Sequence, residues 1–113
     1  MSLQPVTPQL LQAMTDAIVR AANPEKVILF GSHARGDARV DSDVDLMVVE
    51  SEPFDEKWSR SQELRRLSKL LVGFFISKDI LVYSQQEFND WKTTTNHVIA
   101  RASREGRVLY ERS

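Results

Sequence analysis

The sequence contains no cysteine, which excludes a disulfide framework, thiolate metal ligands and a cysteine nucleophile. It has no apolar run near the ~20 residues that cross a bilayer. Its first residues carry no basic-then-apolar leader pattern, so neither membrane attachment nor export is expected. Internal repeats, low-complexity tracts and linkers are also missing. Nor is there an excess of one charge: 15 Lys+Arg face 16 Asp+Glu, a formal net charge of −1. So balanced a chain offers no global field for nucleic acid or an acidic membrane, and nucleic acid is not expected as a partner. What is present is an apolar fraction of 42%, too high for disorder. The 113 residues suit one domain around one core, spanning 1–113. The expectation is a cytoplasmic globular domain whose function lies in a local constellation.

Thr7-Pro8 reads as N-cap and first helical position, followed by an apolar stripe of Leu10, Met14, Ala17, Ile18 and Ala21 that stops at Asn23-Pro24. Lys26–Phe30 is a short β-rich run ended by Gly31, and its continuous apolarity predicts a central strand. Residues 31–42 leave room for no more than a turn of helix. Val44 and Leu46–Val49 form a second buried strand. Pro53 is expected to open a long helix with the stripe Phe54, Trp58, Leu64, Leu67 and Leu71. Its other face, Lys57, Arg60, Glu63, Arg66 and Lys69, is expected to be solvated, and Gly73 fits its end. Asp79–Tyr83 is a third strand. Ser84–Glu87 has capping-box spacing and predicts a short helix carrying Phe88 and Trp91. Thr93–Asn96 interrupts it, with Asn96 expected to cap a last helix (Val98, Ile99 and Ala102 inward) and Gly106 to follow it as C′ residue. Residues 107–110 suit a short edge strand. This order predicts an α/β (α+β) fold, a small mixed sheet of three to four strands flanked by helices.

Three aspartates mark the strands. Asp43 and Asp45 lie two apart, which places both on one face, and Asp79 opens the third strand. The helix between the second and third strands has crossover length, so those strands are expected to be parallel and to start at the same end. If the first two strands are antiparallel, Gly31-Ser32 arrives there too, with Arg35 and Arg39 in the connecting loop. Single loop aspartates are ordinarily solvated turn residues, but Asp45 lies in an apolar strand, where an unpaired charge is costly. Three clustered carboxylates repel one another unless a cation neutralises them. Oxygen donors favour Mg²⁺ or Mn²⁺, glycine lets backbone approach a phosphate, and serine and arginine can bind phosphate oxygens. Phosphoryl-type transfer with two metal ions fits these parts.

Other motifs fail. Asp41, Asp43, Asp45 and Glu52 have calcium-loop spacing, but Leu46 stands where that loop requires glycine. Gly31–Gly36 lacks the Gly-Lys-Ser/Thr ending of a Walker loop. Ser32 and His33 are sequence neighbours and do not make a nucleophile–base pair. His33 reads as a loop residue near solvent, His97 as a residue near a helix start, and Trp58 and Trp91 as core or interface residues.

Gly31-Ser32-His33-Ala34-Arg35-Gly36, then Asp41-Ser42-Asp43-Val44-Asp45-Leu46, resembles the signature of the DNA polymerase β-like nucleotidyltransferases: Gly-Ser, ten residues, Asp-x-Asp. The size and the Arg104-Glu105-Gly106…Leu109-Tyr110 ending resemble the minimal nucleotidyltransferases (MNT) among them. The resemblance implies the nucleotidyltransferase fold, with two Mg²⁺ on Asp43 and Asp45. Asp79 would bind one ion and help deprotonate the acceptor hydroxyl. It implies that Gly31 and Ser32 hold the β,γ-phosphates of a nucleoside triphosphate and that Arg35 supports the triphosphate or the motif loop. His33 stands where such sequences often have arginine.

Larger relatives carry a further, acceptor-binding domain. Minimal members are commonly encoded beside a helical HEPN partner, for which they act as antitoxins, and some transfer AMP from ATP to a tyrosine of that toxin. That activity is the function the resemblance implies. The alternatives are an antitoxin that occludes its partner without chemistry, or an antibiotic-type, small-molecule nucleotidyltransferase completed by a homodimer or a separate subunit. The nucleotide, the acceptor and the oligomeric state are not legible in the sequence.

Overall fold

The structure, a computed structural model, describes residues 5–113. Helix α1 (Pro8–Ala22) starts on Thr7, whose hydroxyl accepts the Leu10 N–H at 3.1 Å. It ends on Asn23 in the left-handed region, φ 47°. There follow β1 (Lys26–Phe30), the single-turn α2 (Ser32–Arg35), β2 (Val44–Glu50), α3 (Arg60–Leu70), β3 (Lys78–Ser84), α4 (Gln85–Trp91), α5 (Val98–Glu105) and β4 (Arg107–Glu111). The sheet has the order β3-β2-β1-β4. β1 is antiparallel to β2 and β4, while β2 and β3 are parallel across the α3 crossover. The expected mixed sheet is therefore four-stranded, with residues 107–111 as its fourth strand.

The two-residue period of the strands divides the core between two faces. Val27, Leu29, Val44, Leu46, Val48, Ile80 and Val82 pack with Met14 and Ile18 of α1 and with Leu67 and Leu71 at α3. Ile28, Met47 and Val49 pack on the other side with Phe88, Ile99 and Ala102 of α4 and α5.

Three expectations need correction. Helix α3 begins at Arg60, not Pro53, because Ser59 and Gln62 form a reciprocal capping box that satisfies the free N–H groups of the first turn. The preceding residues form a turn instead, with the Trp58 N–H on the Asp55 carboxylate at 2.8 Å. The polar face of α3 is not simply solvated. Glu63 is fully buried, gripped by Arg66 through Nε and Nη2 at 2.8 Å each, and Arg66 also donates to the Ala21 carbonyl at the end of α1. Last, His97 caps α5 in place of Asn96, its Nδ1 accepting the Ile99 N–H at 3.1 Å. Gly106 closes that helix with an ordinary φ of −77°. A side chain there would collide with the Ala102 carbonyl and with Ile28, so close packing rather than a left-handed turn requires the glycine.

Candidate active site

The site stands at the end of the sheet where β1 finishes and β2 and β3 begin. Phe30 pairs with Asp45, and Asp45 pairs with Asp79, so three neighbouring strands meet there in register. Asp43 precedes Asp45 by two residues. Alternation puts Asp45 and Asp79 on the face of Met47, Leu81 and Tyr83, the α4/α5 side of the sheet.

Gly31 leaves β1 with φ +73°, and a Cβ there would lie 2.3 Å from Asp45 Oδ2. Glycine thus supplies both the backbone conformation and the space for the carboxylate. Its carbonyl accepts the N–H groups of Ala34 and Arg35 at 3.1 and 3.0 Å, which winds Ser32–Arg35 into one turn. Gly36, at φ +86°, ends the turn. The chain then returns toward β2, and His33 Nε2 lies 3.2 Å from the Ser42 carbonyl. The Ser42 hydroxyl accepts the Arg39 N–H at 2.8 Å. His33 is half-buried and clasps the loop through this contact.

Asp43 is exposed and accepts a close hydrogen bond from the Ser77 hydroxyl. The Ser77 carbonyl accepts the Val44 N–H at 2.8 Å, so Ser77 couples the entries of β2 and β3. Sequence reasoning passed over Ser77; its one signal is its place two residues before Asp79. Desolvation pushes the Asp45 carboxyl above its ordinary range, and the like charges of Asp79 and Asp43 push further the same way. His33 and Arg35 oppose the shift. Arg35 itself is exposed and pairs with Asp37 at 3.3 Å and Glu105 at 3.9 Å. A cavity of about 130 Å³ between Phe30, Gly31, Arg35, Val98, Arg101 and Glu105 adjoins the glycine turn. A roomier one, about 620 Å³, lies beyond the motif loop against His33, Arg39 and Val40 and touches none of the three carboxylates.

The donor set suits a hard cation: carboxylate oxygens at one strand end, with one carboxyl raised by desolvation and then by the charges of the others. Their oxygens are not drawn into a closed cage. Among the described residues no three His, Asp or Glu side chains are gathered tightly enough to enclose an ion, and Asp43 is turned toward Ser77. The strand ends bring Asp43, Asp45, Asp79, Gly31 and Ser32 to one place, whereas Arg35 faces α5.

The family profile described as Polymerase beta, Nucleotidyltransferase matches residues 12–113. Over 89 residues the chain is 35% identical to MJ0604 of Methanocaldococcus jannaschii, provisionally described as a protein adenylyltransferase; the match covers 76% of this chain and 78% of that protein. Among solved structures, a provisionally described nucleotidyltransferase from Sulfolobus solfataricus superposes with a TM-score of 0.64 at 20% identity, covering 92% of this chain and 79% of that one. A toxin–antitoxin crystallised with AMP-PNP gives 0.56 at 17% identity, covering 89% and 73%. At such identities the solved structures speak for the fold alone.

Proposed function

The chain belongs to the polymerase β-type nucleotidyltransferase family and is a nucleotidyltransferase; from that premise we propose that it transfers AMP from ATP to a protein hydroxyl, as the antitoxin of a toxin–antitoxin pair. The observation that carries the reading is the register of Asp45 with Asp79 beside Gly31. The description of MJ0604 supports AMP as the group transferred and a protein as acceptor. A HEPN-type toxin with a tyrosine acceptor follows from the MNT resemblance alone; the likeness to toxin–antitoxin folds supports no more than a toxin partner. ATP as substrate and a cysteine-free chain suit the cytoplasm.

Asp43, Asp45 and Asp79 would hold two Mg²⁺, and the same oxygens suit Mn²⁺. When bound, the metal supplies charge neutralisation for the triphosphate and the transition state. Gly31 and Ser32 receive the β,γ-phosphates at the turn. The contacts of Arg35 with Asp37 and Glu105 support a role in holding the motif loop, with its field still reaching Asp45. The acceptor oxygen attacks the α-phosphorus, the Pα–O–Pβ bond breaks, pyrophosphate leaves, and Asp79 takes the hydroxyl proton. One domain over 1–113 carries the site.

Wild-type protein, labelled ATP, Mg²⁺ and the co-encoded neighbour protein should yield labelled neighbour. Asp43→Ala and Asp45→Ala should each lower the transfer rate by about 10²-fold or more, the loss typical of a missing charge-stabilising group. Undiminished transfer by Asp45→Ala would refute the assignment. The engagement of Asp43 with the Ser77 hydroxyl favours a second reading, neutralisation by occlusion alone. Under it Asp45→Ala still protects cells and wild type deposits no label.

A further inference from the structure

β3 ends the sheet, with β2 on one side and no strand on the other among the described residues. The Val44 N–H reaches the Ser77 carbonyl, and bonded residues alternate along a parallel ladder. Asp79, Leu81 and Tyr83 therefore turn their backbone groups toward β2, while Lys78, Ile80 and Val82 turn theirs outward. The Val82 carbonyl is accordingly taken from outside, by Arg60 Nη1 at 2.7 Å. Nearer the site the edge is open: among the described residues no hydrogen bond covers the outward backbone groups of Lys78 and Ile80. Beside this stretch runs a cavity of about 310 Å³, lined by Leu64, Ser68, Val72, Lys78, Asp79 and Ile80. It lies on the α3 side, where Ile80 and Leu64 pack. Asp79 stands between that cavity and the carboxylate cluster. Val72, at its rim, is 72% exposed.

We propose that this edge docks the acceptor: an extended segment of the acceptor protein adds as a strand beside Lys78–Ile80. The inference rests on the protein-acceptor reading above. An exposed row of N–H and C=O groups selects an extended backbone, since a helix has its own bonds satisfied. Side chains of an added strand alternate between faces. One apolar side chain enters the cavity between Leu64, Val72 and Ile80, and the residue next to it stands on the opposite face beside Asp79. That second residue carries the hydroxyl. The occupant is thus defined by its chemistry, an extended hydroxyl-bearing segment with a neighbouring aliphatic residue, because the strip leads directly into the site that must receive a hydroxyl.

The test pairs a peptide probe with two surface variants. Decapeptides with a fixed central tyrosine and every other position varied are incubated with wild type, labelled ATP and Mg²⁺. The co-encoded protein is labelled in parallel. Expected are labelled peptides with an aliphatic residue adjacent to the tyrosine, and a loss of about 10-fold or more when it is replaced by a polar residue, the usual discrimination of an apolar pocket. Val72→Asp and Ser68→Arg, both at exposed positions, should raise KM for peptide and protein by a similar factor. Their kcat and their ATP affinity should stay at wild-type values. Labelling of the co-encoded protein that is insensitive to both variants overturns the docking strip and leaves the transferase reading intact. So does a peptide profile without any preference beside the tyrosine, or a wild-type homodimer in light scattering that Val72→Asp dissolves. Absence of any labelled protein or peptide overturns the protein-acceptor reading itself, and the docking strip with it.

Discussion

A methyl group at Gly31 would come within 2.3 Å of Asp45 Oδ2, and φ there is +73°, a conformation that any L side chain resists. Gly31→Ala therefore has two consequences at one residue: strain in the turn and displacement of the Asp45 carboxylate. Transfer by Gly31→Ala should fall about 10²-fold or more, as expected when a charge-bearing group leaves its position. The rest of the sheet, whose core lies in other layers, should remain folded. Circular dichroism and transfer assays on the same preparation separate the two effects. A variant with wild-type activity would mean that the turn does not set the position of Asp45. Gly36 offers a control, since a Cβ there meets nothing within 4 Å, although its φ is +86°. Gly36→Ala should therefore carry the backbone strain without the carboxylate clash and cost less activity.

At the level of elements, the strands and the motif were legible because their signals are local. Apolar runs of strand length, the Gly-Ser…Asp-x-Asp spacing and the crossover between Glu50 and Lys78 fix pairing and register with little help from distant residues. The start of α3 was less legible, since two N-terminal signals compete there. Pro53 suits a first helical position, and Ser59–Gln62 suits a capping box. The turn closed by Asp55 and the Trp58 N–H decides for the second, and nothing in the periodicity of Phe54 and Trp58 reveals it. The burial of Glu63 is hidden in the sequence for a related reason. Its helical phase is polar, and its burial depends on Glu50 and the end of α1 meeting there, a tertiary fact. The spacing of the motif puts Arg35 in its loop, but its salt bridge to Glu105 of α5 joins residues seventy positions apart. The capping box is testable. Ser59→Ala should lower stability by about 1 kcal/mol, or roughly 4 °C or more in Tm for a chain of this size, with ATP affinity unchanged. If Tm stays at the wild-type value, α3 is not held by that cap.

Across the whole molecule the two ends of β2 treat acidic groups differently. At Asp45 the like charges of Asp79 and Asp43 are only partly offset by His33 and Arg35, which leaves room for a cation. At the other end Glu63 is neutralised by Arg66, and Trp58 Nε1 also donates to it at 3.2 Å. Burial pushes Glu63 up, yet these donors outweigh it and hold its carboxyl below the usual range. Glu50 has no such arginine grip. Burial first, then its hydrogen bond to Glu63 and the charge of Glu63, push its carboxyl from 4.5 up to about 8. Among the described residues its buried Oε2 has no hydrogen-bond partner that would stabilise a charge there. Folding thus keeps a proton on Glu50 that the unfolded chain releases above 4.5. The unfolded state binds fewer protons in that window, so stability falls as pH rises from about 4.5 to about 8 and levels off above. Glu63 works in the opposite direction, its contribution being lost as pH falls below the carboxylate range. Glu50→Gln keeps a donor for Glu63 and removes the titration. Thermal melts of the metal-free protein from pH 5 to 9 should show wild type losing Tm toward alkaline pH and Glu50→Gln losing less, so that the variant is the more stable at pH 9. The difference between the two slopes isolates Glu50 from every other titrating group. Equal slopes would mean that Glu50 is ionised in the folded protein, and that Arg66, already bound to Glu63 and to the end of α1, serves both carboxylates.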